Sequence, residues 1–332
     1  MRTLVLGGTA YLSRTIAEQA RDRGHDVTAA ARGASGKPPG GVRFVSVERD
    51  RPDGLADLAG ESFDAVVDVA RLPGHVGYAL DALAGRAEHW TFVSTCSVYA
   101  DNSTPGQTAA DAPLLAAAPA DSLDGDPELY GLNKVACENL VRDRVGDAFI
   151  VRAGLIVGPN DPTDRFGYWP QRIAAGGEVL APGDPAEQVQ YIDVADLAVW
   201  ILDAAENGTA GTYDGACSPI PRGWFLTEIA AAVGQPDVTF SWVPQDFLTE
   251  HGVRPWAGPD SLGLWLPLPE YAGFLTRDPA ASVAAGMRNR PLGDTVRAWQ
   301  AWSAARAEPV PLKAGISREK ETAVLAAWHG ER

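Results

Sequence analysis

Tyr130 and Lys134 stand four residues apart in "YGLNK", a spacing that puts a phenol and an ammonium on one face of a helix. A free phenol titrates at about pH 10, too high for acid–base work at neutrality. A neighbouring ammonium stabilises the phenolate and lowers that value, so the pair can move a proton. Upstream, "FVSTCSVYA" offers the hydroxyls of Ser94, Thr95 and Ser97, groups able to hold a substrate oxygen. The chemistry these residues suit is proton transfer at a carbonyl or its alcohol.

The elements that must position them read as alternating strands and helices. "RTLVLG", "DVTAAA", "VRFVSV", "FDAVVDVA", "HWTFVST" and "DAFIVRAG" are short apolar runs. Helical apolar spacing lies between several of them, in "AYLSRTIAEQARDRG", over residues 76–86 and in "ELYGLNKVACENLVRDR". This alternation predicts a Rossmann-like, doubly wound parallel α/β sheet. "FVST" ends its strand at the carboxyl edge, where open α/β sheets bind ligands. Residues 101–127 form a connection long enough to serve as an active-site loop or flap.

The first strand runs into "GGTAYLSR". A dinucleotide corner places glycines where the chain turns, where backbone meets pyrophosphate and where helix packs on strand. Only Gly7 is in register with a G-x-x-G-x-x-G spacing; Ala10 and Ser13 fill the other two places. Both are small, and the helix N-terminus still presents N–H groups to a phosphate. The end of the second strand, "TAAARG", has no acid for a ribose hydroxyl but carries Arg32, with Ser35 and Lys37 close behind. An arginine fork suits a 2′-phosphate, which favours NADP(H) over NAD(H).

In order, "GGTAYLSR", "FVSTCSVYA", "YGLNKVACENL", "VRAGLIVGPND" and "VQYIDVADLAVW" resemble the extended short-chain dehydrogenase/reductases of the NAD-dependent epimerase/dehydratase type. The resemblance covers residues 1–205. It implies that Tyr130 is the catalytic acid/base and that Lys134 binds the nicotinamide ribose and tunes the tyrosine. It places Thr95 on the substrate oxygen, with Ser97, Tyr168 and Trp169 on the substrate. Cofactor contacts implied by position are Gly7, Thr9, Ala10, Tyr11, Leu12, Arg32, Asp50, Arg51, Ala70, Lys134, Ala153 and Leu155. Asp50 matches the place that meets adenine, and Ala153 to Val157 would lie along the nicotinamide. In this family the helices flanking the fourth and fifth strands often pair subunits, which leaves a homodimer open, although the sequence marks no interface.

Two departures narrow the reaction. Cys96 and Ser97 stand where dehydratases of the family carry an Asp-Glu pair, which argues against water loss. Val189 stands where nucleotide-sugar epimerases commonly carry an arginine for the substrate pyrophosphate; Arg165 and Arg172 in "DRFGYWPQR" are candidates to replace it. The second half is rich in aromatics, with Tyr168, Trp169, Trp224, Trp242, Trp256 and Trp265. His75, in "RLPGHVG", is a further candidate for the pocket lining.

The bulk properties set limits. The chain has 332 residues, 45% of them hydrophobic and 21% charged, with a net charge of −15. Such acidity argues against binding nucleic acid or an anionic membrane. Three cysteines without paired spacing fit a reducing compartment. Five scattered histidines predict no metal site. No apolar run reaches membrane-spanning length and the N-terminus reads as a strand, so a cytoplasmic location is expected. The expected organisation is a dinucleotide-binding domain over residues 1–155, to which 188–214 return. A substrate domain is expected over 156–187 and 215–332.

The sequence thus reads as an NADP(H)-dependent reductase or dehydrogenase. Its expected substrate is a small, uncharged, partly aromatic carbonyl compound or the matching alcohol. The alternatives are a nucleotide-sugar epimerase that retains NAD, and a redox-silent relative that senses a dinucleotide or runs a non-redox reaction.

Overall fold

The structure is a computed structural model that describes residues 1–306 and 311–330. In chain order its first half comprises β1 (Arg2–Leu6), α1 (Tyr11–Asp22), β2 (Asp26–Ala31), β3 (Arg43–Ser46) and β4 (Phe63–Asp68). There follow α2 (Pro73–Leu83), β5 (Ala87–Thr95), α3 (Tyr130–Val145) and β6 (Phe149–Ala153). The second half holds β7 (Ile156–Val157), α4 (Tyr168–Ala174), β8 (Glu178–Pro182), β9 (Gln188–Val189), β10 (Ile192–Asp193), α5 (Val194–Asn207) and β11 (Gly211–Gly215). It continues through β12 (Ile220–Pro221), α6 (Arg222–Ala232), β13 (Thr239–Val243) and α7 (Gln245–Glu250). Last come β14 (Arg254–Pro255), β15 (Ser261–Leu262), α8 (Ala280–Ala284), α9 (Leu292–Ala304) and α10 (Arg318–Gly330).

Seven strands form one sheet in the order β11-β6-β5-β4-β1-β2-β3, with every neighbouring pair parallel. Strands buried on both faces need continuous apolar runs, and Leu4, Val5 and Leu6 of β1 with Val66 and Val67 of β4 meet that need. Helices α1 and α5 pack together over one face, and α2 and α3 over the other. The strand order reverses between β1 and β4, so their carboxyl ends open a crevice.

β11 went unread in the sequence. "GTYDG" carries two glycines and an acid and looks like a turn, yet it pairs with β6 over Gly211–Gly215. "VQYIDV" is split in two: Val189 pairs with Ile220 of β12, and Ile192 with Ile156 of β7. A second core gathers Phe166, Trp169, Val179, Phe225, Trp265 and Trp299 beside the sheet. Among the described residues no helix is long and apolar enough to cross a membrane.

Candidate active site

The glycine corner is built by backbone that a side chain would strain. Gly7 and Gly8 have φ of +132° and +78°. A Cβ at Gly8 would lie 2.6 Å from that of Ala29, so the turn needs glycine to seat on β2. Ser13, at the last place of the G-x-x-G-x-x-G spacing, turns its hydroxyl back to donate to the Ala10 carbonyl at 2.8 Å. Helix α1 has no side-chain cap and no acid in its first turn. Its first N–H groups are therefore left for an anion.

This corner floors a groove of about 360 Å³ lined by Gly7, Thr9 and Ala10, by Arg32 and Ser35 after β2, and by Asp50, Ala70 and His75. Asp50 meets His75 Nε2 at 2.5 Å, and this hydrogen bond holds its carboxyl below the ordinary range. Arg32 lies 3.9 Å from Asp50 and is otherwise open to solvent. Small walls, unsatisfied helix N–H groups and an arginine at the β2 end fit a dinucleotide. Arg51 is the exception: it pairs with Asp53 at 3.6 Å on the exposed side of its turn and does not line the groove.

Beside it a cavity of about 490 Å³ contains Tyr11, Leu12, Thr95, Cys96, Ser97, Tyr130, Lys134, Ala153 and Leu155. Gly131 makes this assembly possible. A Cβ there would sit 2.3 Å from the Ser97 carbonyl oxygen, so only glycine lets α3 close on the end of β5. Tyr130 and Thr95 are thereby brought into the wall of one cavity, where Thr95 meets the Ser97 hydroxyl at 3.3 Å. Burial raises the Tyr130 phenol above its ordinary value, while Thr95, Arg71 and Arg165 pull it down.

Lys134 Nζ donates to the carbonyls of Val93 at 2.5 Å and Ala70 at 2.7 Å, and lies 4.4 Å from the Phe92 ring centroid. Burial lowers its pKa to about 8. An ammonium has three protons, so one remains after these two bonds. Cys96 is buried beside Thr95, which pushes its thiol up to about 11 and keeps it protonated at neutrality.

Behind this wall lies a paired charge network. Ser94 donates to Glu138 at 2.5 Å, which commits a hydroxyl that the sequence offered to substrate. Glu138 also receives Arg152 at 2.8 Å and Arg142 at 2.7 Å. Burial alone would raise the Glu138 carboxyl, but the Arg152 contacts bring it below its ordinary value. Tyr99 donates to Asp214 at 2.5 Å, and Arg277 reaches the same carboxylate at 3.1 Å.

Several expected contacts are not brought to the cavity. Tyr168 and Trp169 are 4% and 1% exposed and belong to the second core, where Trp169 donates to the Gly263 carbonyl. They correct the expectation of substrate contact: bulky rings on a short helix are what that core needs. Arg172 is buried against Glu321 at 2.5 Å and cannot grip a ligand. Val189 is fully buried, so its position faces no ligand either. Trp265 is core, Trp242 packs against that core, and Trp224 is exposed on α6. Of the six aromatics singled out, Trp256 alone lines the cavity, with Phe274 from the same region.

Sequence reasoning missed Arg71, Asp161, Thr163 and Phe274, all in the cavity wall. They sit on loops and follow no periodic spacing. Among the described residues no group of three or more His, Cys, Asp or Glu could hold a metal ion.

Residues 79–214 match the sequence model of the NAD dependent epimerase/dehydratase family. No curated protein matches the sequence. Among solved structures, the UDP-N-acetylglucosamine 4-epimerase of Bacillus cereus superposes with a TM-score of 0.68 at 15% identity, over 95% of this chain and 100% of that one. A putative epimerase from Burkholderia cenocepacia gives 0.67 at 19% identity, over 92% and 98% of the two chains. The UDP-glucose 4-epimerase of Thermus thermophilus, solved with NAD, gives 0.62 at 17%, over 92% and 100%. At these identities the likeness carries the fold. The chain thus carries a Rossmann-like sheet, and its residues 79–214 are similar to the NAD dependent epimerase/dehydratase family.

Proposed function

We propose that the protein inverts a secondary carbinol of a nucleotide sugar, using a retained nicotinamide dinucleotide. The observation that carries this reading is the gathering of Thr95, Tyr130 and buried Lys134 in one cavity beside the glycine-corner groove. Thr95 and Tyr130 both address one substrate oxygen. Tyr130 removes the hydroxyl proton and later returns it, and the Lys134 charge steadies the phenolate between those events.

Gly7, Thr9, Ala10 and the start of α1 would hold the pyrophosphate, and Ala153, Leu155 and Lys134 the nicotinamide end. The chemistry supplied by a dinucleotide held there is reversible hydride exchange with the substrate carbon. The cavity wall sets Arg165 and Arg71 beside Trp256 and Phe274, a lining that suits a charged substrate better than an uncharged one.

The test is to incubate purified protein with UDP-glucose and with UDP-N-acetylglucosamine, and to follow the C4 epimers by NMR. The reading expects interconversion that Tyr130→Phe slows by at least about 10²-fold. Failure to convert either sugar in protein holding NAD overturns it.

A second reading, net NADP(H)-dependent reduction of a carbonyl, is favoured by Arg32 at the end of β2 and the absence of an acid there. Consumption of NADPH with a carbonyl substrate, without inversion, is the result that would select it.

A further inference from the structure

The two carbonyls that hold Lys134 are not secured in the same way. That of Val93 belongs to β5, where pairing with Val151 of β6 keeps the backbone in place. That of Ala70 lies two residues past the end of β4, in the turn that leads to α2. No sheet ladder fixes this turn, so another interaction must keep its carbonyl 2.7 Å from Nζ.

Asp68 supplies it. It is the last residue of β4 and fully buried, and its Oδ1 accepts the Ala70 N–H at 2.9 Å. The turn is thereby tied back onto its own strand. Asp68 is locked in turn by Arg49, whose Nη1 and Nη2 donate to its two oxygens at 2.9 and 2.8 Å. Such a two-pronged pair fixes the plane of the carboxylate as well as its place. Arg49 Nη2 also donates to the His75 carbonyl in the first turn of α2, at 2.8 Å. One guanidinium therefore clamps both ends of the β4–α2 turn. Asp68 lines neither the groove nor the cavity, so it reaches the site through Ala70 and not by touching a ligand.

The charges around Lys134 agree with this geometry. Besides Asp68, the groups felt most strongly there are Cys137 and Glu138 on α3 and Arg71 after β4. Burial pushes the Cys137 thiol up to about 12, so it is neutral, and Glu138 is met by Arg142 and Arg152. Arg71 opposes the ammonium. Asp68 is the carboxylate that favours it from the sheet side.

We infer that Asp68 is the positioning residue of Lys134: clamped by Arg49, it fixes the Ala70 carbonyl and so the place of the ammonium in the Tyr130 cavity. The inference rests on the reading of Lys134 as the partner of Tyr130 and adds what keeps it there.

The test exploits a scarcity of lysine. The chain has only Lys37, Lys134, Lys313 and Lys320, so protein labelled with ε-13C lysine gives four Cε signals, and Lys134→Met identifies the one required. Its titration is followed by NMR in wild type, in Asp68→Asn and in the double variant Arg49→Met/Asp68→Leu. Wild type should titrate at about 8. In Asp68→Asn the Arg49 charge is left uncompensated nearby, and Lys134 should fall by at least about one unit.

The double variant leaves no buried charge unpaired and removes the acceptor of the Ala70 N–H, so it carries the test if Asp68→Asn does not fold. There Lys134 should fall by at least about half a unit, because its charged form loses a well-placed carbonyl. A purely structural pair would lower the urea midpoint and leave the Lys134 titration unmoved. An unmoved titration in either folded variant overturns the inference. Turnover of a nucleotide sugar, measured alongside, separates the two claims. A shifted Lys134 in a protein that turns over no sugar sinks the reaction and leaves the positioning intact; turnover with an unshifted Lys134 does the reverse.

Discussion

Two clusters of charge lie near the end of β5, and they differ in how their valences are spent. In one, Glu138 is met by Ser94, Arg142 and Arg152, and Asp214 by Tyr99 and Arg277. In the other, Arg165, Asp161 and Tyr130 share a cavity, and Arg165 touches no carboxylate among the described residues. The first cluster is closed and holds the end of β5 against α3 and β6. The second is open, and an open valence in a cavity is where a ligand gains most. Pairing goes with burial here: Glu138, Arg152, Asp214 and Arg277 are buried, and Tyr130 and Arg165 are half-buried.

The strongest way to break that comparison is Glu138→Gln. It leaves Arg152 buried without its counter-charge and should cost about 3–5 kcal/mol, read as a lowered urea midpoint. Arg165→Gln should stay within about 0.5 kcal/mol of wild type or exceed it, since no partner is orphaned. Equal losses in the two variants would erase the distinction.

Gly131→Ala comes next. The added methyl must displace either α3 or the Ser97 backbone, at about 1–3 kcal/mol, and it parts Tyr130 from Thr95. Turnover should fall more than stability does, as steady-state rates and thermal melts would show.

Lys134 gives a pH signature. Its folded-state pKa of about 8 lies below the unfolded value of about 10.4. The penalty for the buried charge is therefore full below pH 8 and is relieved as pH rises towards 10.4. Wild type should gain about 1–3 kcal/mol relative to Lys134→Met between pH 8 and pH 10, measured by urea unfolding. A flat difference across that window would place the ammonium elsewhere. The smallest effect is expected for Arg32→Ala, which should weaken NADPH against NADH by about tenfold, or 1.4 kcal/mol.

How much of this was legible follows from which residues repeat. Parallel strands announce themselves as apolar runs, and "DVTAAA" is β2 residue for residue. "YGLNK" was legible because a helix turns i and i+4 to one side, and the corner because Gly7 follows an apolar run and precedes a helix; the need for glycine at 8 showed only in its contact with Ala29. β11 was hidden because its two glycines and Asp214 look like a loop, although its place beside β6 is set by the sheet. Tyr168 and Trp169 misled because aromatic rings fill cores as well as pockets. Arg165 stood out as a charge, but its lack of a partner depends on how Thr163 turns Asp161, which no spacing encodes.

The most direct test of the central claim is a fluorescence titration of nucleotide-free protein with NADH and NADPH, in wild type and Tyr130→Phe. The account predicts saturable enhancement in both proteins, because Tyr130 moves a proton and does not build the cradle, with inversion lost in the variant alone. Binding of neither nucleotide to folded, nucleotide-free wild type would contradict it.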